Sequence, residues 1–497
     1  MRIAFLAAEG APWSRTGGLG EVAGALSAAL HAPDDPDLPT EVALCLPLHR
    51  ETWKAAALLG QKIEPVGLKA EAWLGGQRTE FKIFRVAGET RPVWLFDAPD
   101  LFDRDGIYND REYRSYTDNA HRFAAFTKAA VASLPELMGG PVDVLHAHDW
   151  QCGLVPAFLR MRRGDPRFEQ TRTMMTVHNL AHQGVFDSRL MDSLGLPWEW
   201  YHVDGLEFHD RLSFMKAGLT MSDVVTTVSP NYAAEIRTSA QGYGLEGVLR
   251  ALGGRLIGLL NGIDGEAWDP RHDRALPAPF DGDDLTGKAA CRDALLAELG
   301  LDAADAQTPV LGFVGRLAWQ KGVDLIAELG DDIVQANCRL VLLGNGEPGL
   351  ERQLRALASR YPTRVAARIG FDLDLSHRVE AGSDIFVMPS RFEPCGLNQM
   401  YSMAYGTVPV VHATGGLRDT VIDANAATLA DGSATGFCCE HADVNGLRWA
   451  LRRAIEMFRG DPDAWRQLQR NGMSRDWTWT AAARPYRQLY ARLCGLG

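Results

Sequence analysis

Short apolar runs alternate with helix-period stretches from one end of the chain to the other, and they do so in two series. In the first series residues 3–8, 41–46, 93–96, 142–147, 173–177, 224–228 and 256–260 read as strands, with helices such as 120–134 and 154–163 between them. In the second the strands are 309–314, 339–343, 365–369, 384–388 and 408–412, with helices near 323–330, 350–360 and 397–405. Such alternation predicts parallel strands joined by helices that cover both faces of a sheet. Two series predict two doubly wound α/β domains, at 1–265 and 308–479. Residues 266–307, dense in Pro, Gly and Asp, read as a linker carrying a short helix at 288–299. Residues 480–497 read as a terminal helix with Tyr486, Leu489, Tyr490 and Leu493 on one face, crossing back to the first domain.

Charge removes some functions. Lys and Arg total 51 against 63 Asp and Glu, a net charge of −12, which excludes a general binder of nucleic acid or anionic membrane. A phosphate, if one is bound, must be met by a local cationic cluster and by backbone amides. The eight cysteines show no zinc spacing, and the adjacent pair Cys438-Cys439 suits a disulfide poorly, as in a reducing compartment. The amino terminus is too short an apolar run for a secretory signal, and no stretch of about 18 apolar residues predicts a membrane span. The expectation is a cytoplasmic protein.

The loops carry the chemistry. Arg15-Thr-Gly-Gly-Leu19 lies between a predicted strand and a helix, where glycines admit a ligand to the backbone and the helix start favours an anion. A plain turn explains two glycines equally well, but Arg15 tilts the reading toward phosphate. The element returns as Thr414-Gly415-Gly416-Leu417 in the second domain, so a diphosphate held between two facing domains would explain both copies. Arg316 and Lys321 follow the second domain's first strand, where open α/β sheets bind ligands. Two cations suit an anionic leaving group, although a solvated loop accounts for either one alone. Glu393, before Pro-Cys-Gly, could bind sugar hydroxyls or simply cap the next helix. His146, His148 and Asp149 at spacing two are a weak metal signal, and histidines satisfied within the core are the commoner case.

Taken together, Arg15–Leu19, His146-Ala-His-Asp-Trp150, Thr176-Val-His-Asn179, Asn261-Gly-Ile-Asp264, Gly315-Arg-Leu with Gln-Lys-Gly322, Ser390–Leu397 and Thr414–Leu417 resemble the bacterial glycogen synthase and plant starch synthase family. The motifs stand in the family's order and span nearly the whole chain. The resemblance implies the GT-B fold, two Rossmann-like domains facing a central cleft, and a retaining transfer of glucose from ADP-glucose to the non-reducing end of an α-1,4-glucan such as glycogen. It implies no metal or other cofactor, and closure of the cleft over the donor. It places Arg15, Gly18, Arg316 and Lys321 at the diphosphate. His178, Asn179, Asn261, Glu393, Cys395 and Gly396 fall at the glucose, with Glu393, His178, Arg316 and Lys321 as the catalytic set. Leu397, Thr414, Gly415 and Gly416 belong to the donor loops, Phe371 lies against the adenine, and Tyr108 and Asp149 face the acceptor. Arg15 and Glu21 stand where the family most often has Lys and Asp, and Tyr401 stands where many other retaining GT-B enzymes carry a second Glu. A transferase using UDP-glucose or a phosphorylated sugar acceptor, or a glucan-binding protein without catalysis, would share much of this pattern. The joint presence of His178, Arg316, Lys321 and Glu393 argues against the last.

Overall fold

The computed structural model describes residues 1–112, 114–305 and 307–496; Tyr113, Ala306 and Gly497, the last within the predicted terminal segment, lie outside the description. The chain forms two compact units, Met1–Leu259 together with Trp479–Gly497, and Leu260–Thr478.

The first unit contains β1 (Arg2–Leu6), β2 (Glu41–Pro47), β3 (Ile63–Leu74), β4 (Gln77–Val86), β5 (Val93–Asp97), β6 (Val144–His148), β7 (Arg172–Val177), β8 (Val185–Asp187), β9 (Glu207–Phe208), β10 (Arg211–Ser213), β11 (Val224–Thr227) and β12 (Leu256–Gly258). Its main sheet has the order β12-β11-β7-β6-β1-β2-β5-β4-β3, and β8, β10 and β9 form a small antiparallel sheet. From β12 to β5 the strands are parallel. Ile3 to Leu6 are fully buried, as a strand covered on both faces must be. The hairpin β3–β4 departs from the expected all-parallel sheet by adding an antiparallel edge. It is covered on one side only, so its residues alternate between exposed and buried instead of forming a continuous apolar run. Gly75 and Gly76, at φ 51° and 84°, make its turn.

The terminal helix Trp479–Leu493 is part of this unit, its Trp479, Tyr486, Leu489 and Tyr490 sharing one apolar cluster with Phe5, Val22 and Leu26. The Tyr490 hydroxyl meets His146 Nδ1 at 2.7 Å, and His146 Nε2 meets Thr176 Oγ1 at 2.6 Å. Tyr490→Phe is therefore expected to lower the unfolding free energy by about 1–3 kcal/mol, because a buried ring nitrogen loses its partner. Urea denaturation measures this, and an unchanged midpoint would refute it.

The second unit holds β13 (Val310–Val314), β14 (Arg339–Gly344), β15 (Val365–Ile369), β16 (Ile385–Met388), β17 (Val408–His412) and β18 (Phe437–Cys439) in the order β15-β14-β13-β16-β17-β18. Counted within the unit this is 3-2-1-4-5-6, the Rossmann order, with its switch point between β13 and β16. Cys438 and Cys439 are successive residues of β18 and so point to opposite faces of the strand; both are free thiols. Residues 266–307 are built into this unit. Leu295 and Leu296 of the helix Thr286–Leu299 pack with Leu375 and Val379, and the buried Lys288 ammonium donates to Ala381 O, Tyr405 O and Thr407 Oγ1. No described helix is long and apolar enough to cross a membrane.

Candidate active site

At the switch point of the second unit, the loops after β13 and β16 meet. Gly322, at φ 67°, lies so close to the second loop that a Cβ would sit 2.2 Å from Pro389 O. This contact brings Lys321 to Glu393, Nζ to Oε2 at 2.5 Å, with Ser390 Oγ donating to the same oxygen at 3.1 Å. Glu393 is only 6% exposed, so it is not a solvated helix-end acid. Arg316 is exposed and donates to Gln320 Oε1 at 2.7 Å, while Gln320 Nε2 donates to Phe392 O. Both cations of this loop are thus tied to the Glu393 turn, Lys321 directly and Arg316 through Gln320.

The second Thr-Gly-Gly-Leu element lies on that turn. A Cβ on Gly415 would come within 1.9 Å of Glu393 O, and one on Gly416 within 2.2 Å of Cys395 O; the Gly416 N–H donates to Glu393 O at 3.1 Å. Thr414 and Leu417 are buried beneath it. Here the glycines serve close backbone packing. The Asn261 backbone N–H reaches the buried Cys395 thiol, which burial pushes up to about 12, and Asn261 Oδ1 is sealed without a partner among the described residues. Gly396 takes φ 73° in the same turn, and Leu397 precedes the helix Asn398–Ala404, whose Asn398 Nδ2 donates to Val314 O. Phe371, after β15, is 78% exposed and has no ring contact among the described residues.

The first unit has its own switch point, between β1 and β6. Glu9, 2% exposed, accepts from the Tyr108 hydroxyl at 2.7 Å, from Thr16 Oγ1 at 3.0 Å and from the Thr16 backbone N–H. Burial raises its pKa. The helix Gly18–Leu30 follows, and a Cβ on Gly17 or Gly18 would meet nothing within 4 Å, so the packing around these glycines does not require them. After β6, Asp149 adopts φ 54° and accepts the backbone N–H of His178 at 2.7 Å and that of Asn179. His178 Nε2 lies 2.9 Å from His148 Nδ1, and burial pushes the His178 imidazole down to about 3, leaving it neutral. Asn179 Oδ1 is turned onto the Ala181 N–H at 3.0 Å. His146 is engaged by Tyr490 and Thr176, and among the described residues no cluster of His, Cys, Asp and Glu is placed to hold a metal ion.

His146 and His148 belong to the carboxyl half of β6, and Glu9, Asp149, His178, Asn179, Arg316, Lys321 and Glu393 lie beyond the carboxyl ends of their strands. A surface hollow lined by Arg2, Glu41 and Asp143 sits at the opposite edge, near the amino ends of β1, β2 and β6. The first unit thus holds buried carboxylates and a neutral imidazole, groups able to hydrogen-bond hydroxyls, and the second holds a buried carboxylate with two cations, groups able to meet an anion.

The family described as starch synthase catalytic domain matches residues 2–251, and the family described as glycosyl transferases group 1 matches residues 302–471. A glycogen synthase of Anaeromyxobacter dehalogenans is 47% identical over 99% of both chains, and one of Myxococcus xanthus is 44% identical over 99% of both. The chain belongs to the glycogen synthase family. The catalytic domain of starch synthase IV from Arabidopsis thaliana, solved bound to ADP and acarbose, is 32% identical and superposes with a TM-score of 0.88 over 99% of both chains. The fold is GT-B, two Rossmann-like domains, and the chain is a glycosyltransferase of the glycogen synthase family.

Two departures from common glycogen synthase residues prove to be partners. Arg15 Nη1 pairs with Glu21 Oε2 at 3.1 Å. Tyr401 stacks at 3.8 Å on Trp268, which stacks at 3.9 Å on His377, so an aromatic column occupies the position of the absent second Glu. Glu9 was not singled out from the sequence. Its signal was a carboxylate directly after a fully buried strand and ahead of a Gly-Gly turn.

Burial pushes the Asp149 carboxyl up to about 7, opposed by the His178 and Asn179 amides. An acid whose folded pKa is raised stabilises the fold fully below its unfolded pKa, near 3.9, and loses that contribution as pH rises through about 7. The unfolding free energy of the wild type should therefore fall with pH across this window more steeply than that of Asp149→Asn, by up to about 1.4 kcal/mol per pH unit. Denaturant titrations of both proteins from pH 4 to 8 check it, and parallel curves would refute it.

Proposed function

We propose that the chain transfers glucose from ADP-glucose to the 4-hydroxyl at the non-reducing end of an α-1,4-glucan such as glycogen, with the anomeric configuration retained. The contact between Lys321 and the buried Glu393 carboxylate at the Rossmann switch point, with Arg316 on the same loop, carries this reading. The bond from the sugar's anomeric carbon to the diphosphate breaks, and a bond to the acceptor oxygen forms on the same face. The acceptor proton goes to the departing phosphate oxygen. Arg316 and Lys321 take up the charge that develops on the diphosphate, and Arg15 and the open backbone at Gly18 add to it. These groups supply the charge, so no divalent ion is required.

His178, Asn179, Asn261, Cys395 and Gly396 bind glucose hydroxyls, and Glu393 orients the sugar. Leu397, Thr414, Gly415 and Gly416 shape the donor loop. Phe371, already exposed, is available to cover the adenine. Tyr108 and Asp149 hold the acceptor. The ADP and acarbose bound in starch synthase IV support a nucleotide sugar and a glucan as partners.

Purified protein incubated with glycogen and either ADP-glucose or UDP-glucose, in chelator and in magnesium, tests this reading. Release of ADP with glycogen extension in chelator is expected. Preference for UDP-glucose would overturn the donor, activity only with magnesium would overturn the metal-free chemistry, and glucan binding without turnover would overturn catalysis.

A further inference from the structure

Three histidine rings form a short column at the carboxyl ends of β6 and β7. His146 and His148 have centroids 4.2 Å apart, and His148 and His178 stack at 5.2 Å. Only the last pair shares a hydrogen bond, His148 Nδ1 to His178 Nε2 at 2.9 Å. All three are buried, and burial lowers each pKa, so at neutral pH each ring carries one proton. One proton must therefore lie between His148 and His178, and it belongs to one ring or the other.

The far side of His148 decides which. Its Nε2 is sealed and has no hydrogen-bond partner among the described residues. The Phe5 ring lies 4.8 Å from its centroid, and both nitrogens of His146 are engaged by Tyr490 and Thr176. If His178 were the donor, His148 would carry its proton on Nε2, as a buried N–H with no acceptor. If His148 is the donor, Nε2 is only a bare lone pair. Orphaned buried N–H groups are the rarer state in folded proteins. The second arrangement leaves His178 unprotonated at Nε2 and protonated at Nδ1.

His178 Nδ1 has no protein partner among the described residues, is not among the sealed atoms, and belongs to a residue 8% exposed. The backbone of the same residue is pinned by its N–H to Asp149. We propose that His148 is a positioning residue that fixes the tautomer of His178, so that His178 offers Nδ1–H as a hydrogen-bond donor to a sugar hydroxyl oxygen. The inference rests on the glucosyl-transfer reading for its ligand, but the tautomer itself does not. A neutral donor of this kind orients the sugar without protonating it.

Long-range ¹H–¹⁵N correlation spectra of the full chain labelled with ¹⁵N-histidine read the tautomer directly, with His178→Gln to assign the signals. The expected result is a protonated Nδ1 and an unprotonated Nε2 at His178. His148→Leu should let the His178 tautomers mix and lower kcat by roughly ten-fold, the worth of one hydrogen bond. His148→Asn places an amide N–H near the lost Nδ1 and should recover both the tautomer and most of the rate. Protonation of wild-type His178 at Nε2 overturns the proposal, as does a His148→Leu protein with unchanged tautomer and rate. If His148→Leu does not fold, the wild-type and Asn spectra decide. The spectra need no turnover, so a wrong donor or acceptor shows in the assay alone.

Discussion

Lys321→Ala should lower kcat/KM by roughly two to three orders of magnitude, about 2–4 kcal/mol of transition-state stabilisation, as when other preorganised anion donors are lost. The side chain has two roles, and removing it ends both. Its ammonium would meet the departing diphosphate, and it already neutralises the buried Glu393 carboxylate at 2.5 Å. Without Lys321, Glu393 retains the Ser390 hydroxyl as a hydrogen-bond partner but no cation at that distance. A Lys321→Ala protein that folds with wild-type stability and keeps kcat/KM within a factor of about three would sink the assignment.

Glu393→Gln should fold and lose transfer by roughly two orders of magnitude or more. The amide preserves the shape and can still accept from Lys321 and Ser390, so the turn against Gly415 and Gly416 should survive. Thermal unfolding and steady-state kinetics on the same preparation separate the outcomes. A collapse in Tm would mean that the carboxylate holds the turn together and has no separate role at the sugar. Combining the two substitutions should cost less than the sum of the single effects, because the groups are in direct contact.

The parallel strands were legible because both faces of each are covered, which leaves unbroken apolar runs such as residues 3–6 and 310–313. The hairpin β3–β4 was not, because a one-sided edge strand carries only alternation. The loops were legible as motifs but not as neighbours. Nothing in the residue order says that Gly416 must lie against Cys395, or that Arg15 turns onto Glu21; those are facts of approach between segments distant in sequence or of side-chain direction. The two Gly-Gly elements look alike in sequence and differ in kind: the second is packed against backbone, whereas the first has open space where its Cβ atoms would be. Glu9 escaped notice because a single carboxylate at the end of an apolar run reads as punctuation.

The first unit is assembled from two separate stretches, with the whole second unit inserted between residues 259 and 479. A ribosome therefore releases the pieces in an unusual order. Domains made earliest ordinarily fold earliest, yet here the segment that supplies Tyr486 and Tyr490 to the first core emerges only after the whole second unit. The second unit is complete in the nascent chain while the first still presents the apolar surface around Phe5, Val22 and Leu26. Termination after Thr478 would remove the hydroxyl that meets His146 and leave an intact second unit attached to an unfinished first. The first unit's most exposed moment is the interval between the synthesis of Thr478 and the docking of the helix Trp479–Leu493.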